Sequence, residues 1–353
     1  MSSSFWRGKR VLITGDTGFK GAWLSFILNA HGSIIQGISS SEFNKNTHLY
    51  SSLNVNKISN TIDCDIRNSD EIKKIFSSFN PDIVFHLAAQ PLVRYSYKEP
   101  LLTYETNVIG TLIILEAIKA SSSVQSAVMV TTDKCYENRE WDWGYRENDP
   151  LGGYDPYSSS KACAELLIGS YQKSFFNDSK SSPGISSVRA GNVIGGGDFS
   201  DDRLIPDLFR AIQNNSKILL RNPLATRPWQ HVFEPLSGYM EVARKLYELG
   251  SNENDCWNFG PNNNDIRTVK EIVELFFDCW GIENFADSDL NSQPYEAKSL
   301  SLDISKAHFK LGWSPRWDLE TAIEKTVNWY KEYLNQDNLR NLSSCQIEEF
   351  FNN

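Results

Sequence analysis

Arg10-Val-Leu-Ile-Thr-Gly15-Asp-Thr-Gly18-Phe-Lys-Gly21 is the stretch on which the fold turns. Its first five residues read as a buried parallel strand, apolar and β-branched without alternation. A glycine-punctuated turn follows, then a helix through about Ala30. Glycine allows a tight turn and lets a phosphate approach the backbone. The helix start beyond it offers unpaired N–H groups and the positive end of a dipole. The spacing is Gly-x-x-Gly-x-x-Gly, not the common Gly-x-Gly-x-x-Gly. On glycines alone, a plain strand-to-helix turn would read the same way. Its place at the first βαβ unit is where a dinucleotide site belongs.

Outward from that turn, short apolar runs recur at 34–38, 82–87, 124–131 and 185–189, with helical stretches near 69–79, 100–121 and 156–176. Strand and helix alternating at these lengths predict an α/β, Rossmann-like doubly wound parallel sheet. After about Asn192, Gly195-Gly196-Gly197 and Pro223, Pro228, Pro261 and Pro294 break the regularity. The expected division is a dinucleotide-binding domain over 1–190, a smaller C-terminal substrate-binding lobe over 191–335 and a tail over 336–353. The chain is expected to cross between lobes more than once. Helices are expected around 269–277 and 319–333.

The 353 residues are 40% hydrophobic and 22% charged, ordinary for a globular protein with a sizeable core. A net charge of −9 supplies no general basic field, so nucleic acid is not an expected partner. The six cysteines show no Cys-x-x-Cys pair and read as free thiols in a reducing, cytoplasmic setting. No apolar run approaches 18 residues, so no membrane partner is expected. No His, Cys and carboxylate group has metal-ligand spacing, so no metal is expected. His86, at a strand end, reads as a hydrogen-bonded core histidine.

Tyr157 and Lys161 lie four apart on one helix and so share a face, with Thr132-Asp133-Lys134 starting 25 residues before Tyr157. A nearby ammonium favours the phenolate and is expected to draw the tyrosine toward neutrality as a base.

Gly15-x-x-Gly18-Phe19-x-Gly21, Thr132-Asp133 and Tyr157-x-x-x-Lys161, in this order, resemble the extended short-chain dehydrogenase/reductase family, in its nucleotide-sugar branch. Longer blocks sharpen the resemblance toward the branch's CDP-glucose dehydratases. They include Ala88-Ala-Gln-Pro-Leu-Val-Arg94, Asp133-Lys-Cys-Tyr-Glu-Asn-Arg-Glu140, Arg189-Ala-Gly-Asn-Val-Ile-Gly-Gly-Gly-Asp198 and Arg227-Pro-Trp-Gln-His-Val232. The resemblance spans about residues 5–335. It implies a 4,6-dehydratase with NAD as cofactor and CDP-glucose as substrate, in deoxysugar synthesis for cell-surface polysaccharide. Alternatives are a dehydratase for another nucleotide sugar, a 4-epimerase, or a non-enzymatic NAD-binding sensor.

Residue roles follow from the same resemblance. Gly15, Thr17, Gly18, Phe19 and Gly21 would hold the pyrophosphate, and Asp65-Ile66 would read the adenine. Ala88, Ala89 and Gln90 would lie against the cofactor with Asn107 behind them. Tyr157 and Lys161 would be the catalytic pair, Lys161 also reaching the nicotinamide ribose. Thr132 would hold the sugar's 4-OH and Asp133 would protonate the leaving 6-OH. Lys134 stands where dTDP-glucose relatives have glutamate, and would be the C5 base or a stabilising cation. Asn192 and Arg227 would grip the diphosphate sugar, with Arg203, Arg221 and His231 near it. Tyr295-Glu296 departs from the arginine many relatives place near the diphosphate. Glu42 is the carboxylate available to the ribose hydroxyls, and no arginine stands there for a 2′-phosphate, which favours NAD over NADP. Helices near 100–121 and 156–176 carry Leu112, Ile113, Leu115, Ile118, Leu166, Leu167 and Ile168. These would cover the sheet, and the resemblance implies that the same helices join two subunits in a homodimer.

Overall fold

The computed structural model describes residues 3–42, 48–178, 182–220, 222–283, 286–288, 299–335 and 338–352. Seven strands form its main sheet: β1 (Arg10–Thr14), β2 (Ile34–Ser39), β3 (Ser59–Asp63), β4 (Ile83–His86), β5 (Ser126–Val130), β6 (Gly184–Ala190) and β7 (Cys256–Phe259). Their order is β7-β6-β5-β4-β1-β2-β3, and every neighbouring pair is parallel. This is the doubly wound α/β sheet expected from the sequence. The order reverses between β1 and β4, which opens a crevice at their carboxyl ends.

The sheet-covering helices are α1 (Phe19–Ala30), α2 (Ser69–Phe79), α3 (Pro100–Ala120), α4 (Pro156–Ser174) and α5 (Phe233–Leu249). Helix α2 begins at Asn68, whose side chain accepts the Glu71 N–H. Helix α4 begins at Asp155, which caps the Ser158 N–H, with Pro156 at its first position. Helix α3 is long and apolar enough by composition to cross a bilayer. Here its Ile114, Leu115, Ala117 and Ile118 are buried over the sheet. A π-helical turn, Glu105–Ile109, interrupts it and turns Asn107 inward.

After β6 the chain pairs Val193–Ile194 with Gln230–His231, returns to the sheet edge as β7, and then lays Ile266–Thr268 against the earlier Thr226–Pro228. Helices α6 (Val269–Trp280) and α7 (Leu319–Asn335) cover this second lobe. A capping box of Thr268 and Glu271 starts α6. The segment set apart as a tail holds helix α8 (Leu339–Asn352), whose Ile347, Phe350 and Phe351 enter the main hydrophobic core.

Two strands of the main sheet escape the sequence reading, as do the short strands of the second lobe. In β3 the residues are Ser-Asn-Thr-Ile-Asp, too polar to stand out, and β7 has only four residues.

Candidate active site

The glycine turn sits at the crevice between β1 and β4. Gly15 has φ +76, and a Cβ there would lie 2.9 Å from the Ala88 nitrogen. Gly21, on the first turn of α1, approaches the Gly15 carbonyl so closely that a Cβ would fall 2.1 Å from it. Gly18 precedes α1 with no side-chain cap, so the helix's first N–H groups stay free for an anion. Thr17 hydrogen-bonds Ser39 at the end of β2, and Phe19 packs against the main core. This geometry fits the pyrophosphate of a dinucleotide.

The surrounding residues fall into two groups. Ala88 and Ala89 are half-buried at the end of β4. Gln90 is anchored behind them: its N–H donates to Asn107 Oδ1 at 2.8 Å, and Asn107 Nδ2 reaches Ser160 at 2.8 Å. Ile66 is buried under Gly110, while the Asp65 carboxylate is already held by Arg67 at 2.6 Å, which keeps it ionised. Glu42 is exposed on the turn after β2. His86 is the core histidine expected: Thr14 lies 2.7 Å from Nδ1 and Thr111 3.1 Å from Nε2.

Tyr157 and Lys161 project from one face of α4, both buried, toward the carboxyl end of β5. Lys161 Nζ donates to the Val130 carbonyl at 3.2 Å. One expectation is corrected here. The Tyr157 phenol is not drawn toward neutrality by the lysine; burial pushes it up to about 12, against a lowering by the Thr132 hydroxyl. Burial also brings Lys161 down to about 8. Burial is the largest influence on both groups, and it disfavours the charged form of each.

Thr132 caps a short turn, Asp133–Cys135, and donates to Asp133 Oδ1 at 3.0 Å. Oδ2 of Asp133 is buried with no hydrogen-bond partner among the described residues. Burial raises the carboxyl's pKa, opposed by Lys134, Thr132, Arg227 and Lys20. Burial thus moves the carboxyl toward its protonated form, and the unpartnered oxygen is the one placed to hold and give a proton.

Beside this cluster lies a cavity of about 280 Å³, lined among others by Lys134, Tyr136, Asn138, Tyr154, Ser158 and Arg227. Arg227 is buried and donates to its neighbour Thr226 O at 2.8 Å. Arg203 pairs with Asp198 at 3.0 Å and lies within electrostatic reach of Tyr157. Asn192 is half-buried between β6 and the strand pair, where its carbonyl accepts the Gln230 N–H at 3.1 Å. Arg221 and Tyr295-Glu296 lie outside the described residues. His231 does not reach the cavity. It is buried against the rings of Phe233 and Trp317, at 4.5 and 4.9 Å, because its short strand pairs inward with Ile194. Trp229 is likewise core, with Nε1 donating to Arg267 O at 3.2 Å.

Sequence reasoning missed several polar groups at this centre. Lys20, inside the glycine motif itself, is within electrostatic reach of Asp133, Lys161, Arg203 and Asp198, and is brought down to about 8, mainly by burial. Its position in the motif was the available signal. Tyr239 of α5 is fully buried near Tyr157 and Asp133, and nothing in the sequence pattern marked it. Glu165 and Arg189 form a buried ion pair behind Lys161.

Comparison with known proteins agrees with this geometry. The chain is 46% identical over 353 residues to CDP-glucose 4,6-dehydratase of Salmonella typhimurium, covering 99% of this chain and 98% of that protein. It is 27% identical to human dTDP-D-glucose 4,6-dehydratase, covering 97% and 95%. Among solved structures, dTDP-glucose 4,6-dehydratase of Bacillus anthracis in complex with NAD superposes with a TM-score of 0.78 at 23% identity, covering 93% and 98%. An epimerase of Methanothermobacter thermautotrophicus gives 0.81 at 21% identity, covering 94% and 95%, so these likenesses speak for the fold. The family model described as GDP-mannose 4,6 dehydratase matches residues 12–326. A match running from β1 well into α7 shows that the chain belongs to the GDP-mannose 4,6 dehydratase family, within the extended short-chain dehydrogenases.

Proposed function

We propose that the protein is a CDP-glucose 4,6-dehydratase, converting CDP-glucose to CDP-4-dehydro-6-deoxyglucose and water. The observation that carries this reading is Asp133: a buried carboxyl with one free oxygen, next to a tyrosine-lysine pair. Oxidation at a hydroxyl, or epimerisation, needs only the pair. A carboxyl biased toward its protonated form is what loss of a poor leaving group requires. The full-length similarity to the Salmonella enzyme supports cytidine diphosphate as the carrier.

Gly15, Gly18 and Gly21 with the free start of α1 would hold NAD, and the chemistry it would supply there is reversible hydride transfer at the sugar. Thr132 positions the 4-OH, and Tyr157 removes its proton. Lys161, as an ammonium, stabilises the phenolate that must form from a phenol held near 12. The 4-ketone acidifies the C5 hydrogen. Asp133 then donates its proton to the departing 6-OH. Lys134 and Arg227 add cations on the cavity side, and Lys134 is assigned to the C5 step as base or as enolate-stabilising charge.

The six free cysteines support a reducing, cytoplasmic location. The outward apolar residues of α3 and α4 support a homodimer.

The test supplies purified protein and added NAD+ with CDP-, dTDP-, GDP- and UDP-glucose in buffered D2O. Preference for the cytidine substrate and deuterium at C5 of a 4-keto-6-deoxy product are expected. An epimer as sole product, or no deuterium at C5, would overturn the proposal.

A further inference from the structure

We propose that Glu165, with Arg189, is a positioning residue for this reaction, one buried carboxylate that fixes the catalytic helix to the strand end carrying Thr132 and to the wall of the sugar cavity. The inference rests on the reading above that Lys161 works as an ammonium.

Glu165 lies one turn beyond Lys161 and two beyond Tyr157, on the same inward face of α4. Its side chain and that of Arg189 are each only 3% exposed. Arg189 donates to it twice, from Nε at 2.9 Å and Nη2 at 2.6 Å, and Ser187 Oγ donates at 2.7 Å. The Thr131 hydroxyl also donates to it, and Thr131 is the immediate neighbour of Thr132. From its far side Arg189 Nη1 reaches the Tyr136 hydroxyl at 2.7 Å and the Glu147 carbonyl at 3.1 Å. Tyr136 lines the cavity and passes the chain on to Asn258 Oδ1 at 2.7 Å. A single ion pair thus touches the helix of Tyr157 and Lys161, the strand end before Thr132, and the cavity wall.

A buried ion pair adds little to stability compared with apolar residues of the same shape, so its presence calls for another reason. The charges facing Lys161 supply one. Lys20 of α1 repels it, as does His86 of β4 when protonated, and Cys135 of the turn after β5 is held as a thiol by burial. Glu165 is therefore the anion that favours the ammonium form of Lys161. Burial disfavours a charged Glu165, but Arg189 and the hydroxyl donors Thr131 and Ser187 reverse this and keep it ionised.

The experiment measures kcat and KM against pH, with NAD+ and CDP-glucose, for wild type, Glu165→Gln, the charge-neutral pair Glu165→Gln/Arg189→Met, and Tyr136→Phe. Removing the carboxylate charge should move the alkaline limb of kcat about one pH unit toward acid, because Lys161 loses its proton sooner. The double variant leaves no unpaired ion and carries the same expectation. Tyr136→Phe should keep the wild-type pH profile and raise KM several-fold. An unshifted limb in either folded carboxylate variant overturns the proposal. So does failure of both to fold together with an unchanged KM in Tyr136→Phe, since the pair would then serve the fold alone. A wild type inactive on every sugar nucleotide fells the assigned reaction, and this inference with it. An active wild type with an unshifted limb in the variants fells this inference only.

Discussion

Asp16 carries a cost that a pH titration can expose. It stands inside the glycine turn, fully buried, and accepts hydrogen bonds from Ser59 at 3.2 Å and from Thr61 on β3. It fills the space left by Gly37, where a Cβ would lie 1.9 Å from its Oδ2. Burial raises its pKa from 3.8 to about 6, only partly offset by those hydroxyls. A group raised on folding contributes stability that is present below its unfolded pKa and lost as pH rises through its folded one. Between about pH 4 and pH 6, wild type should therefore lose roughly 3 kcal/mol relative to Asp16→Asn. Denaturant melts of both proteins at several pH values in that range check this, and parallel curves would refute it. Such a role is invisible in sequence, where Asp16 is one variable position of a glycine motif. Tyr157, Lys161 and Asp133 were readable because their chemistry is local and their spacing recurs. Glu165 and Arg189 were not, because they are 24 residues apart and their meaning lies in the pairing. The direction of the Tyr157 shift was misread for a related reason: sequence shows that a lysine is near, but not how deeply both are buried.

Helix α8 shows the same limit one level up. Its sequence, Leu-Arg-Asn-Leu-Ser-Ser-Cys-Gln-Ile-Glu-Glu-Phe-Phe-Asn, carries no family block and was set aside as a tail. Phe350 is nonetheless buried against Trp317, with ring centroids 5.0 Å apart, and its carbonyl accepts from Arg316 Nη1 at 2.6 Å. Ser343 Oγ accepts a hydrogen bond from Trp329 Nε1 at 3.1 Å, and Arg340 ties the helix to Leu53. Phe350→Ala should cost about 3–5 kcal/mol in urea unfolding, the usual penalty for emptying a packed aromatic site. A loss under about 1 kcal/mol would mean that the helix docks loosely and adds little to the core. Helices α2 and α4 were readable to within two residues of their ends. The π-helical turn in α3 was beyond reach, since Glu105–Ile109 carries no glycine, proline or other local signal that sets it apart from an ordinary helical turn.

At the scale of the whole molecule, the parallel, doubly wound class of the sheet followed from the alternation of strand and helix, whereas the outer surface did not. Helices α3 and α4 each bury one face on the sheet and leave apolar residues outside. Leu101 is 71% exposed, Ile109 46% and Leu166 62%, with Tyr104 on the same side of α3 as Leu101. On α4 the outward positions Ser159, Cys163, Leu166 and Ser170 recur at helical spacing and carry no charge. An uncharged face on α4 beside the exposed Leu101 and Ile109 of α3 is suited to a second copy packing by the same two helices, which closes a four-helix bundle about a two-fold axis. Light scattering should then give twice the 40.1 kDa chain mass. The double variant Leu101→Lys/Leu166→Lys should scatter as a single chain, because each lysine would meet its own symmetry mate or an apolar neighbour at the interface. Retention of the doubled mass by that variant would place the contact on another surface. Since α4 carries Tyr157 and Lys161 on its opposite face, the separated chains should also lose turnover more than they lose affinity for the sugar nucleotide.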